Sequence, residues 1–168
     1  MNKQPEEIWD LYNIKGEPLH RTMVRGTPLK AGEYHLAAHI WIKNSNREYL
    51  IQKRADEKET WPGMWATTAG AVLAGETARS GAIRELYEEI GVVALPNELH
   101  LICQLIKGYA IEVIWLLERD VKEEEITLQG EEVSAVMWAK EAAIKAMIAE
   151  GRFYDYGVTY LEAVFRME

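Results

Sequence analysis

With 48% apolar and 27% charged residues in 168, the chain has globular composition and is long enough to bury a sizeable core, most simply as one domain spanning 1–168. No apolar run nears the roughly 18 residues needed to cross a bilayer, and the opening MNKQPEEIWDLY lacks a basic segment followed by an apolar one, so a cytoplasmic protein with no membrane partner is expected. A net charge of −8 at pH 7 argues against binding a nucleic-acid polymer, and would repel anionic substrates unless local cations or metal reverse the field.

In chain order, Ile8 to Tyr12 and Pro18 to Met23 flank Asn13-Ile14-Lys15-Gly16, which reads as a peripheral hairpin; with the loop through Gly26, Pro28 and Gly32 it makes an N-terminal unit over 1–33. Tyr34 to Lys43 is apolar on both alternating faces and reads as a central strand. Glu48 to Arg54 follows, with Leu50, Gln52 and Arg54 on one face and Tyr49, Ile51 and Lys53 on the other. The loop Trp61-Pro62-Gly63-Met64-Trp65 carries two large rings, suited either to stacking a base or to packing the loop on its own core. Short strands are expected at Trp65 to Thr68 and Ala71 to Leu73, around Gly70.

Thr77 is suited to cap a helix that Gly91 ends at the C′ position. Leu99 to Ile106 and Tyr109 to Glu118 form a second hairpin about Lys107-Gly108, and the acidic run Asp120 to Glu125 reads as a solvated loop. Val133 to Trp138 is a strand and Lys140 to Glu150 a helix, and a last helix capped by Asp155 carries Val158, Leu161, Val164 and Phe165 as its apolar stripe. The lone Cys103 excludes an internal disulfide, fits a reducing compartment, and in LHLICQLI reads as a small buried hydrophobe. His20, His35, His39 and His100 share no ligand spacing.

The chemistry concentrates in GAVLAGETARSGAIRELYEEIGV, residues 70–92. At helical spacing Glu85, Glu88 and Glu89 share one face, while Ile83, Leu86 and Ile90 collect on the opposite one. Like charges so placed weaken a helix by a few tenths of a kcal/mol per pair, so a partner is expected, either Arg84 and other cations or a divalent metal. Oxygen ligands suit magnesium or manganese. Arg54, at the end of its strand, is the cation chosen for substrate phosphates.

Gly70, Glu76, Arg84-Glu85-Leu86, Glu88-Glu89 and Gly91-Val92 together match the Nudix box without departure, and on them the chain is identified as resembling the Nudix hydrolases. The resemblance implies an α/β/α sandwich built on a mixed, largely antiparallel sheet with helices on its faces. It implies hydrolysis of a phosphoanhydride bond in a small-molecule diphosphate, such as a nucleoside diphosphate linked to another moiety, by water attack on phosphorus with magnesium or manganese required. By the same resemblance Glu85, Glu88, Glu89 and the carbonyl of Ala69 hold metal, Glu76, Arg84 and the two box glycines are structural, and a homodimer is in keeping with the family; the N-terminal ribbon is the candidate interface that the sequence itself offers. The base is either Glu89 or a later glutamate, Glu132 first and Glu131 behind it.

Trp9-Asp10-Leu11, Gly16-Glu17-Pro18 and Tyr34-His35-Leu36-Ala37 also resemble type I isopentenyl diphosphate isomerases, with Glu112 matching one of their glutamates. That family's cysteine and metal-binding histidine have no counterpart in residues 65–72, which disfavours isomerase activity. A nucleotide-sensing module without catalysis is the other alternative, weakened by the intact box. The leaving group is set by the loops at 55–64, 107–110 and 120–130.

Overall fold

The structure, a computed structural model, describes residues 6–167. Strands β1 (Ile8–Tyr12) and β2 (Pro18–Val24) pair antiparallel as a separate ribbon. Its turn closes because the Asn13 carboxamide oxygen accepts the backbone N–H of Lys15 at 2.9 Å and of Glu17 at 3.0 Å.

The main sheet contains β3 (His35–Lys43), β4 (Glu48–Arg54), β5 (Trp65–Ala66), β6 (Thr68–Ala71), β7 (Leu99–Lys107), β8 (Ala110–Glu118) and β9 (Val133–Lys140). The doubly apolar β3 lies at its centre, parallel to β8 and antiparallel to β4 and β6. Every other pairing is antiparallel. Helix α1 (Ala78–Ile90) covers one face, packing Leu86 and Ile90 on Ala38, Ile40 and Ile42. Helices α2 (Glu141–Ala149) and α3 (Val158–Phe165) cover the other, where Ile144, Met147, Tyr160 and Val164 meet Trp41, Tyr49 and Ile51. This is the expected sandwich, and the period-2 alternation of β3 and β4 is what divides their side chains between the two cores. Among the described residues no helix is long and apolar enough to cross a membrane.

Two local expectations are corrected. The strand break falls at Thr67 rather than Gly70: the Thr67 hydroxyl donates to the Ile40 carbonyl at 2.6 Å and its N–H to the Tyr156 hydroxyl at 3.2 Å, so Gly70 lies inside β6. Asp155 does not cap α3, because its carboxylate accepts the N–H of Gly157 at 2.9 Å and Gly157 itself occupies the cap position.

Candidate active site

Helix α1 begins as its sequence dictates. The Thr77 hydroxyl accepts the Ser80 N–H at 3.1 Å, and the Ser80 hydroxyl accepts the Thr77 N–H at 2.9 Å. Gly91, at φ 72°, ends it; a Cβ there would stand 3.0 Å from the Thr127 backbone nitrogen. That close approach lets the following loop cap the helix, since Thr127 N–H donates to the Ile90 carbonyl (2.9 Å) and Gln129 N–H to the Glu89 carbonyl (3.0 Å). The same loop carries Glu132 to the site.

The three carboxylates of α1 are graded in depth rather than ranged on one solvated face. Glu88 has 48% of its side chain exposed, Glu85 12%, and Glu89 is buried beside Leu86 and Ile90. Arg84 supplies part of the expected counter-charge. Its Nη1 donates to Glu85 (2.6 Å) and Glu88 (2.9 Å), its Nε to Glu76 (2.8 Å), and its Nη2 to the Ala71 carbonyl (2.9 Å) and Glu76 (3.1 Å). Glu76 also accepts the Leu73 N–H at 2.9 Å. Burial opposes ionisation of Glu76, but Arg84 and the Leu73 N–H outweigh it and hold the carboxyl below its usual range. Glu76 and Arg84 thus brace the loop against the helix.

Gly70 faces α1, and a Cβ on it would fall 2.1 Å from the Glu85 carboxyl carbon, so the absent side chain is what gives Glu85 its place. Burial pushes the Glu85 carboxyl up against the pull of Arg84, with Glu88 and Glu7 adding to the rise. Glu89 is pushed up to about 8, first by burial and then by Glu85 and Glu132, although Gln52 Nε2 donates to it at 2.6 Å. The Gln52 amide is oriented in turn by the Thr68 hydroxyl, which donates to its Oε1 at 2.8 Å.

These carboxylates open on a cleft of ≈ 480 Å³ lined also by Arg54, Lys58, Ala69, Gly70, Arg84, Gln129 and Glu132. Arg54 donates from Nε to the Thr60 carbonyl (3.0 Å) and from Nη2 to the Thr60 hydroxyl (3.3 Å); its Nη1 has no partner among the described residues. Lys58 is ion-paired with Glu132. Glu131 lines a neighbouring groove with Arg25 and Glu57. Lys53, on the other face of β4, does not line the cleft.

The donor set fits a hard divalent cation. Among the described residues no three acidic, histidine or cysteine side chains converge as a preformed cage, because Arg84 stands between Glu85 and Glu88. Yet the buried Glu89 and the partly buried Glu85 are held above their ordinary range, which is the electrostatic state that a cation relieves. A backbone donor adjoins them. Val72 N–H bonds the Leu36 carbonyl, so Ala71 and Ala69, of opposite parity, turn their carbonyls away from β3; Arg84 takes the first, and the second lies at the cleft.

A NUDIX domain family model matches residues 33–158. The chain belongs to the Nudix family. It is 35% identical to an uncharacterized Nudix hydrolase of Listeria innocua, over 96% of this chain and 95% of the relative. It is also 29% identical to an isopentenyl-diphosphate Delta-isomerase of Saccharopolyspora erythraea over 70% of this chain and 63% of that one, so the isomerase-like branch is recovered too. In fold it matches a crystal structure from Deinococcus radiodurans with a TM-score of 0.76 at 21% identity, covering 95% of this chain and 98% of that chain. The chain is accordingly an enzyme of the Nudix hydrolase kind, which cleaves pyrophosphate bonds.

Gln129 and four further cleft residues are neither in the box nor marked by it. Glu7, Trp9 and Arg25 come from the N-terminal ribbon, with Arg25 donating to Glu7 at 2.9 Å, and Lys58 comes from the loop after β4. The WDL stretch around Trp9, read only as a likeness to isomerases, was the one sequence pointer to the ribbon's role.

Proposed function

We propose that the chain, one Nudix domain over 1–168, is a cytoplasmic, magnesium- or manganese-dependent hydrolase that cleaves a phosphoanhydride bond in a nucleoside diphosphate-linked substrate. The observation carrying this reading is the convergence of the box carboxylates, Arg54 and Glu132 on one cleft, with Gly70 making room for Glu85. Glu85, Glu88, Glu89 and the Ala69 carbonyl would hold the cation. When bound it would neutralise phosphate charge and lower the pKa of a water. Arg54 offers its unpartnered Nη1 to a phosphate oxygen, which suits a site that must offset the charge growing on phosphorus-bound oxygens.

Glu132 is the favoured base. Each carboxylate has one oxygen engaged, Glu132 by Lys58 and Glu89 by Gln52, but Glu132 has 29% of its side chain exposed to the cleft whereas Glu89 is buried. Glu132 would take a proton from water as the water oxygen bonds phosphorus and the bridging P–O bond breaks. The ribbon also exposes Ile8, Ile14 and Val24, which supports a homodimer joined there and is checked by sedimentation.

The test is incubation with magnesium or manganese and a panel of nucleoside di- and triphosphates, dinucleoside polyphosphates, nucleotide sugars and isopentenyl diphosphate. Release of phosphate or nucleoside monophosphate, abolished by Glu88→Gln and reduced about 10²-fold or more in kcat by Glu132→Gln, is expected. An intact panel alongside tight nucleotide binding would leave a sensor instead. Double-bond migration is not expected: residues 65–72 bring no cysteine or histidine, and burial first, then Glu112, raises the Cys103 thiol pKa rather than activating it.

A further inference from the structure

Strand β6 separates two surfaces. Gly70 and Thr68 face α1, whereas Ala69 and Ala71 pair with His39 and Ala37 and share the opposite face. Ala37 pairs in turn with Glu112 of β8, which faces the same way. Helices α2 and α3 cover this face over Trp41 and Tyr49 but leave Ala37, Ala69 and Ala71 partly exposed, so these small side chains floor an open recess that adjoins the carboxylate cleft, which Ala69 and Ala71 also line.

The recess also holds an unpartnered carboxyl. Glu112 is 8% exposed, and its carboxyl has no hydrogen-bond or ion-pair partner among the described residues. Among those residues, Trp115 Nε1 is the one side-chain polar atom both sealed from solvent and unpaired, so the Glu112 oxygens reach an opening. A buried, unpaired carboxyl calls for a partner outside the protein. On the neighbouring strand β7, Leu105 pairs with Glu112 and Lys107 lies two residues further along on the same face; its ammonium offsets the rise that burial causes in the Glu112 pKa.

The rim is aromatic. Lys107 donates to the Tyr154 hydroxyl at 3.0 Å, and Tyr154 meets Trp61 edge-on with ring centroids 5.3 Å apart. Trp61 is 55% exposed and held at φ 53°, a left-handed backbone that bulky residues rarely adopt. Thr60, its neighbour in the chain, is the residue that grips Arg54.

We propose that this recess binds the nucleobase of the substrate, with Glu112 accepting the two adjacent N–H groups of a guanine edge and Lys107 donating to the guanine O6. The assignment rests on the hydrolase reading only for the direction of the phosphates, which would cross the β6 edge at Ala69 to the carboxylate cleft. A carboxylate beside an ammonium complements guanine's two donors and one acceptor. Adenine would turn its N1 lone pair toward the carboxylate, and hypoxanthine lacks the 2-amino donor. Trp61 supplies the stacking face.

Monophosphates have no anhydride to cleave, so binding can be read apart from catalysis. Calorimetry with magnesium and the 5′-monophosphates of guanosine, inosine and adenosine should give guanosine at least about tenfold tighter than either of the others. Glu112→Gln should erase that preference, and Trp61→Ala should weaken all three by about tenfold. Equal binding of the three by the unaltered protein overturns the assignment with no variant needed, as does a Glu112→Gln protein that melts normally and keeps the preference. Guanine-selective binding without hydrolysis of any guanosine diphosphate derivative would leave the recess standing and sink the hydrolase reading; hydrolysis indifferent to the base would do the reverse.

Discussion

Gly70 and Glu85 occupy one another's space: a Cβ on Gly70 would lie 2.1 Å from the carboxyl carbon of Glu85. The atoms in the way belong to the end of a flexible side chain, so Gly70→Ala would displace the carboxylate and leave the backbone in place. The expected result is an unchanged fold, a stability loss of about 1–3 kcal/mol, and activity down by about 10²-fold or more. The magnesium-induced rise in melting temperature should vanish with it. A Gly70→Ala enzyme with normal activity would show that Glu85 is not held where the cation is bound.

Glu89 should respond oppositely with and without metal. Its folded pKa of about 8 lies above the ordinary value of 4.5, so between those pH values the folded state binds more protons than the unfolded one, and this group's contribution to stability falls as pH rises. Glu89→Gln removes that penalty. In chelator at pH 7.5 or so, the variant should unfold at higher denaturant, by at least about 1 kcal/mol, and the gap should close toward pH 4. With magnesium the wild type should gain stability and the variant should not, and the variant should be inactive.

Arg84 joins five acceptors from three nitrogens, a pattern that a point charge cannot copy. Arg84→Lys should cost about 2 kcal/mol and lower kcat, because Glu85 and Glu88 lose their shared guanidinium. Urea denaturation of the two proteins measures the first effect directly; indistinguishable midpoints would mean that the network is not holding the helix to its loop.

His39 offers a pH signature far from the carboxylates in chemistry. It is buried, with Nδ1 2.9 Å from the Tyr160 hydroxyl, and burial first, then Lys107, lowers its pKa to about 4 from 6.5. The unfolded chain therefore binds a proton that the folded chain refuses. Stability from this group is complete above about pH 6.5 and lost as pH falls toward 4, on the order of 3 kcal/mol in all. His39→Gln should flatten that slope in denaturation curves taken from pH 7 to pH 4.

Much of this site was legible in one dimension because a helix and a strand have fixed periods. Glu85, Glu88 and Glu89 could be set side by side from spacing alone, Gly91 could be read as a C′ residue, and Arg54 and Gln52 could be put on the same face of β4. Burial could not be read that way. The same spacing that groups three carboxylates says nothing of which one the sheet covers, so Glu89 was placed opposite Leu86 and Ile90 when it is buried with them.

What the sequence by itself determined was the chemistry: a box whose spacing presents oxygen donors and an arginine, a central strand apolar on both faces, and the family to which both belong. The tertiary structure alone decided which distant residues join that box. Lys58, Glu7 and Arg25 reach the cleft through loop and ribbon contacts between segments far apart in the chain, and Glu112 comes beside Ala37 through a parallel pairing that has no local signature. Such contacts follow from which surfaces pack together, a property of the whole chain that no short stretch of it encodes.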